Sequence, residues 1–149
     1  MKKFSFPLDT VLSYKGQVLD SLKNEHAQIL IRVIKQENII EDLEKEFQDC
    51  AAKFERCKVE GAKINEMLNH EGYLHTLQKK IEGAKQALVL IKREEQAKRE
   101  EVIIAKQDTT SIEKLKEKKQ EQYRKDEQKD QERFIEEFVS NTRMTANNG

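Results

Sequence analysis

From Leu8 onward, steps of four and three residues in turn pick out Leu8, Leu12, Lys15, Leu19, Leu22, His26, Ile29, Val33, Gln36, Ile40, Leu43, Phe47, Cys50, Phe54, Cys57, Gly61, Ile64 and Leu68. Fourteen of these eighteen positions are apolar. A repeat of 3.5 residues sustained this long is the seam of a left-handed coiled coil, because it keeps one stripe facing a partner helix as the two wind round each other. A second seam runs through Leu74, Leu77, Ile81, Ala84, Leu88 and Ile91, skips Glu95 and Lys98, and resumes at Val102, Ala105 and Ile112. The pattern predicts an all-α fold: a long two-helix antiparallel coiled-coil hairpin.

Two glycines compete for the turn, Gly61 in KVEGAKIN and Gly72 in NHEGYLH. Gly72 would give arms of equal length. Gly61 gives a first helix of about 50 residues, about 75 Å at 1.5 Å per residue, and a longer second helix with an overhanging charged end. Gly61 is favoured because the second seam thins after Ile112, about where the first helix has no more residues to pair; Leu8 then lies opposite Lys114 and Leu115. The expected organisation is a lead-in over 1–7, helix 1 over 8–58, a tip at 59–63, helix 2 over 64–139, and a polar, disordered tail at 140–149. Pro7 suits a first helical turn, where its missing donor costs little. Asp108, Thr109, Thr110 and Ser111 are poor helix formers, and Thr110 with Glu113 could form a capping box; the alternative is a continuous helix with a soft spot.

Composition supports long helices: 38% of the 149 residues are charged, with one Pro, five Gly and no Trp. Lys plus Arg and Asp plus Glu are both 28, so no net positive field gathers nucleic acid or anionic lipid. MKKFSFPLDTVL has too short an apolar run for a signal peptide, and no run approaches the roughly 20 residues of a membrane span, so a cytoplasmic chain is expected. Cys50 and Cys57, seven apart on a helix, lie about 10 Å from each other, too far for a disulfide, and read as core thiols.

Candidate chemistry is sparse. No glycine stands in a phosphate-binding motif, and His70 and His75 are five apart, off the three- or four-residue spacing of a helical metal pair. A coiled coil two helices thick offers no cleft to split the pKa values of paired carboxylates, so no catalytic, metal or cofactor-binding residue is assigned and no enzyme is expected. Lys15, His26 and Gln36 occupy seam positions, where polar side chains fix register or reach past the seam to water. Phe47, Phe54 and Tyr73 cluster near the tip, where a shallow core leaves aromatics partly open to a third partner. From Glu113 to Glu137, 17 of 25 residues are charged with interleaved signs, the pattern of a solvated helix laced with weak ion pairs.

Three segments resemble the FliJ family of flagellar type III export proteins. Phe4, Phe6, Leu8, Val11 and Leu12 in FSFPLDTVLSYK match the opening F-x-F-x-L-x-x-V-L. Gly61 followed by AKINEMLNHEGYLHTLQKKI, with Tyr73, Leu77 and Ile81 at apolar positions, resembles the family's turn glycine and second-helix start. IEKLKEKKQEQYRKDEQKDQERFIEEF carries the EKLKEK-x-x-x-x-Y block, with Glu136 and Val139 where relatives often have Asp and a small residue.

The resemblance implies a hairpin like the central shaft of a rotary ATPase. Its end bearing both termini enters the ring of the flagellar export ATPase and promotes assembly and hydrolysis. It also implies contact with the cytoplasmic part of the export gate and with export chaperones, at the cytoplasmic, membrane-associated export apparatus. Carried onto this sequence, the ATPase-binding candidates are Phe4, Phe6, Leu8, Leu12, Glu113, Lys114, Leu115, Lys116, Lys118, Lys119, Tyr123 and Arg124. The gate-binding candidates are Phe47, Phe54, Tyr73 and Leu77.

Two other readings remain. One is a structural coiled coil that self-associates through its seam. The other is a nucleic-acid tether using the seven Lys and Arg between Lys114 and Lys129, which predicts steeply salt-dependent binding. The export reading predicts a monomer in isolation: light scattering should return one monomer mass at every concentration, and a rise with concentration would support the self-associating coiled coil.

Overall fold

The computed structural model describes residues 2–148. It has two helices, α1 (Asp9–Glu60, 52 residues) and α2 (Ile64–Asn147, 84 residues), which pack against each other as an all-α hairpin. The lead-in turns into α1 through a bond from the Asp9 amide to the Phe6 carbonyl at 3.1 Å, and the Leu12 amide donates to the Leu8 carbonyl at 2.8 Å. Asp9 in the first turn and Lys58 in the last complement the helix dipole.

The chain reverses between the helices at Gly61, whose φ of 77° is left-handed. Only glycine adopts that region without a Cβ clash, and Gly61 thereby ends α1 at Glu60. The Glu66 and Met67 amides both donate to the Lys63 carbonyl, at 3.0 and 3.2 Å, and so start α2. Gly72, the other turn candidate, lies inside α2.

Contacts divide the chain into two compact units. Unit 1 comprises Met1–Asp20 with Ile104–Gly149, and unit 2 comprises Ser21–Ile103. Within unit 2 the helices run antiparallel, shown by ion pairs whose α2 numbers fall as the α1 numbers rise: Glu25 with Lys98 at 2.8 Å, Arg32 with Glu94 at 2.7 Å, Glu37 with Lys92 at 3.8 Å and Glu44 with Lys85 at 3.3 Å. Each exposed pair is worth little alone, but together they flank the seam and favour one register. Ile40, Cys50 and Leu77 are buried in this unit, and Leu77 at 1% is the deepest. Both cysteines are free thiols, Cys50 buried and Cys57 half-buried.

Unit 1 is antiparallel by the same test: Asp9 pairs with Lys116 at 2.8 Å and Lys15 with Asp108 at 3.8 Å. Phe6 and Leu19 are its buried apolar side chains. Lys15 thus sits at the edge of the seam and answers a carboxylate across it.

Two stretches of α2 hold helix where composition favours it least. At 108–111 the helix is unbroken. The buried Thr109 hydroxyl donates to the Ala105 carbonyl at 2.8 Å and the Ser111 hydroxyl to the Gln107 carbonyl at 2.9 Å, so the hydroxyls that compete with helix are absorbed into it. At 140–147, a segment whose polar composition suggests disorder, α2 continues to Asn147. No Gly or Pro interrupts it there, and Thr142 and Thr145 donate to the carbonyls of Phe138 and Asn141, each at 2.8 Å.

The two glycines should respond oppositely to alanine. A Cβ at either meets nothing within 4 Å, so backbone conformation alone decides the sign. Gly61→Ala should destabilise by about 1 kcal/mol. Gly72→Ala, in a helix interior, should stabilise by up to about 1 kcal/mol, read as thermal midpoints by circular dichroism.

Candidate functional site

Unit 1 draws together segments far apart in sequence. The Phe4 ring packs on Tyr123 with centroids 5.5 Å apart, and the Tyr123 hydroxyl donates to the Lys2 carbonyl. Lys116, two turns before Tyr123 on α2, reaches Asp9 at 2.8 Å. The lead-in and the charged block therefore form one composite surface. Within it Phe6 is 5% exposed and serves packing, whereas Leu8 and Leu115, at 38% and 39%, present apolar surface to solvent. Leu12, Phe4, Lys116 and Tyr123 are half-buried, and Glu113, Lys114, Lys118, Lys119 and Arg124 are exposed.

The tip candidates all belong to unit 2. Tyr73 is exposed, and its hydroxyl donates to Glu46 across the hairpin; that bond, above all, raises the phenol's pKa. Phe54 is half-buried and lies against His70 at 6.3 Å between centroids, with the Lys58 ammonium 4.2 Å from its ring centre. The Cys57 thiol stands 3.6 Å from His70 Nε2. Phe47 is half-buried, and Leu77 lies behind the surface as the most deeply buried side chain. Leu77 positions this end; it does not offer contact area while the helices stay packed.

The model of the family described as Flagellar FliJ protein matches residues 4–148. The chain belongs to the FliJ family. No curated protein and no solved structure matches it. Membership makes this FliJ-family chain a flagellar export component, and no helix among the described residues is long and apolar enough to cross a membrane. Among the described residues no group of three or more His, Cys, Asp or Glu side chains could hold a metal ion.

The seam also contains a polar layer that hydrophobic periodicity passes over. Glu95, 7% exposed, accepts from His26 Nε2 at 2.9 Å and from the Arg99 guanidinium through Nε and Nη2 at 2.9 and 2.7 Å. An ionised carboxylate only accepts, so the proton of this His26 bond resides on Nε2. Nearby, the Gln36 side-chain amide donates to the Ala84 carbonyl at 2.9 Å, and Lys98 lies between Glu25 and Glu101 at 2.8 and 2.9 Å. Those two carboxylates raise the Lys98 pKa. The available signal was register: with the turn at Gly61, His26 falls opposite the skipped positions of the second seam.

The Arg99 hydrogen bonds first, and the His26 bond second, hold the Glu95 carboxyl below its ordinary 4.5. A depressed folded-state pKa contributes stability that is present above the unfolded value and is lost as pH falls through the folded one. Glu95→Gln should therefore lower the thermal midpoint at neutral pH. That deficit should shrink in circular dichroism melts as pH falls below the ordinary 4.5 and through the depressed folded-state value, while the parent loses stability over the same window.

Proposed function

We propose that this chain is a central-stalk-like coiled coil that binds the ring of the flagellar export ATPase, promotes its assembly and hydrolysis, and links it to the export gate and to export chaperones. The observation that carries this reading is the composite surface of unit 1. Phe4 packed at a tilt on Tyr123, and Asp9 joined to Lys116, fuse the lead-in and the charged block into one surface.

Such a surface suits a ring pore. The exposed Leu8 and Leu115 supply small apolar patches, and the exposed Lys114, Lys118 and Lys119 flank Leu115 on α2 with cations able to meet carboxylates. Charged rims of this kind speed encounter and fix register more than they add affinity. A modest apolar area also allows rapid release, which repeated engagement with successive subunits of a ring demands. The gate contact falls to the tip, where Tyr73 is exposed and Phe47 and Phe54 are half-buried. The chain works as a cytoplasmic protein docked at the membrane-associated export apparatus, a monomer outside it, with no cofactor and no catalytic step of its own.

ATP hydrolysis and hexamer formation by the cognate export ATPase, with and without sub-stoichiometric amounts of this chain, test the reading. Stimulation with larger assemblies is expected, and truncation after Ile112 should abolish it. Leu115→Ala should lower stimulation several-fold while leaving helicity unchanged, since alanine is a strong helix former and Leu115 lies at the margin of the seam rather than inside it. No effect of the helical full chain on either quantity would leave a structural adaptor as the better account.

A further inference from the structure

A thiol and an imidazole face each other about one turn from the reversal of the chain. Cys57, on the α1 seam shortly before Gly61, stands with Sγ 3.6 Å from Nε2 of His70, which lies one seam step before Leu74 on α2. Both side chains are half-buried. The Phe54 ring packs against the imidazole at 6.3 Å between centroids. Leucine at both positions would serve a two-stranded seam, so packing alone does not account for the pair.

A thiol is a weak nucleophile until it loses its proton, and an imidazole within reach of the sulfur can accept that proton. Access matters as much, because an electrophile must approach the sulfur in line with the bond that breaks. Cys57 meets both conditions. Cys50, the other cysteine, is 7% exposed in the apolar seam and fails the second. Of the other histidines, His26 is already committed to Glu95.

We infer that Cys57 is a modification site, a thiol activated by His70 for exchange with a small disulfide. His70 Nε2, with the ring's own proton on Nδ1, takes the Cys57 proton. The thiolate attacks one sulfur of the disulfide. A new bond forms from Cys57 Sγ as the S–S bond of the disulfide breaks, its electron pair leaves on the departing sulfur, and the imidazolium gives that sulfur the proton. One thiol and one disulfide become one mixed disulfide and one thiol. Cys50 lies seven residues back on the same helix, about 10 Å away, too far to displace the new bond by closing an internal disulfide. The mixed disulfide therefore persists until an external thiol removes it. While it lasts, its added group takes the space that the Cys57 to His70 contact fills and loosens the hairpin beside the turn. No residue of unit 1 is involved, so the inference is independent of the ATPase reading.

The test follows the reaction of the full folded chain with dithiodipyridine, read by absorbance of the thiopyridone released. Two phases are expected, a fast one that Cys57→Ala removes and a slow one that Cys50→Ala removes. His70→Gln should slow the fast phase several-fold at neutral pH and leave the slow phase unchanged. Loosened packing would do the reverse, since it would expose both thiols and speed both phases, so a disturbed fold cannot imitate loss of the proton acceptor. Circular dichroism verifies the helicity of each variant. A fast phase that is unchanged or quicker in His70→Gln would overturn the proposal. So would a Cys57 that reacts no faster than Cys50 in the parent.

Discussion

Each helix buries one narrow apolar stripe against the other, and because only two helices share it, that stripe is never more than one side chain deep. Most seam positions are therefore half-buried, and full burial is reached at few places, such as Leu77 in unit 2 and Phe6 in unit 1. A core this thin gains little from any one residue, so stability comes from repetition along the seam and from a turn that sets its register. Gly61 supplies that turn, and its left-handed conformation determines which residue of α1 meets which residue of α2.

A shallow seam also makes polar insertions tolerable and useful. The His26, Glu95 and Arg99 cluster interrupts the apolar stripe, yet each polar group there finds a partner. Removing one member would strand another beside apolar neighbours, so the cluster penalises any shift of register more strongly than leucines would. Gln36 reaching the Ala84 carbonyl works in the same way. Specificity of pairing is thus concentrated at a few positions, while the leucines and isoleucines between them supply undirected affinity.

Function follows from what the pairing leaves uncovered. In unit 1 the pairing unites the lead-in with the charged block, and the result is a surface that neither segment possesses alone. In unit 2 it turns Tyr73 outward and Leu77 inward, although both lie in one short sequence segment. The terminal part of α2 lacks cover along its whole apolar face, so its Phe and Ile side chains remain open to solvent.

The sequence by itself determined the two helices and their seams, because a 3.5-residue apolar repeat keeps one stripe of each helix facing a partner helix along its length. It also determined the family, through Phe4, Phe6 and Leu8 at one end and the EKLKEK block with Tyr123 at the other. Between Gly61 and Gly72 the pattern leaned to the first without excluding the second, since both are compatible with helix ends. Only the tertiary structure decided which seam residues are truly covered, because periodicity marks a face but not its depth: Leu77 and Tyr73 look alike as apolar positions. It alone showed that Glu95 belongs inside the seam, since hydrophobicity rejects a carboxylate whose partners, His26 and Arg99, come from two different helices. It alone showed α2 continuing past 140, where weak local propensity is overridden by helix propagation and by Thr142 and Thr145 bonding back to their own turns.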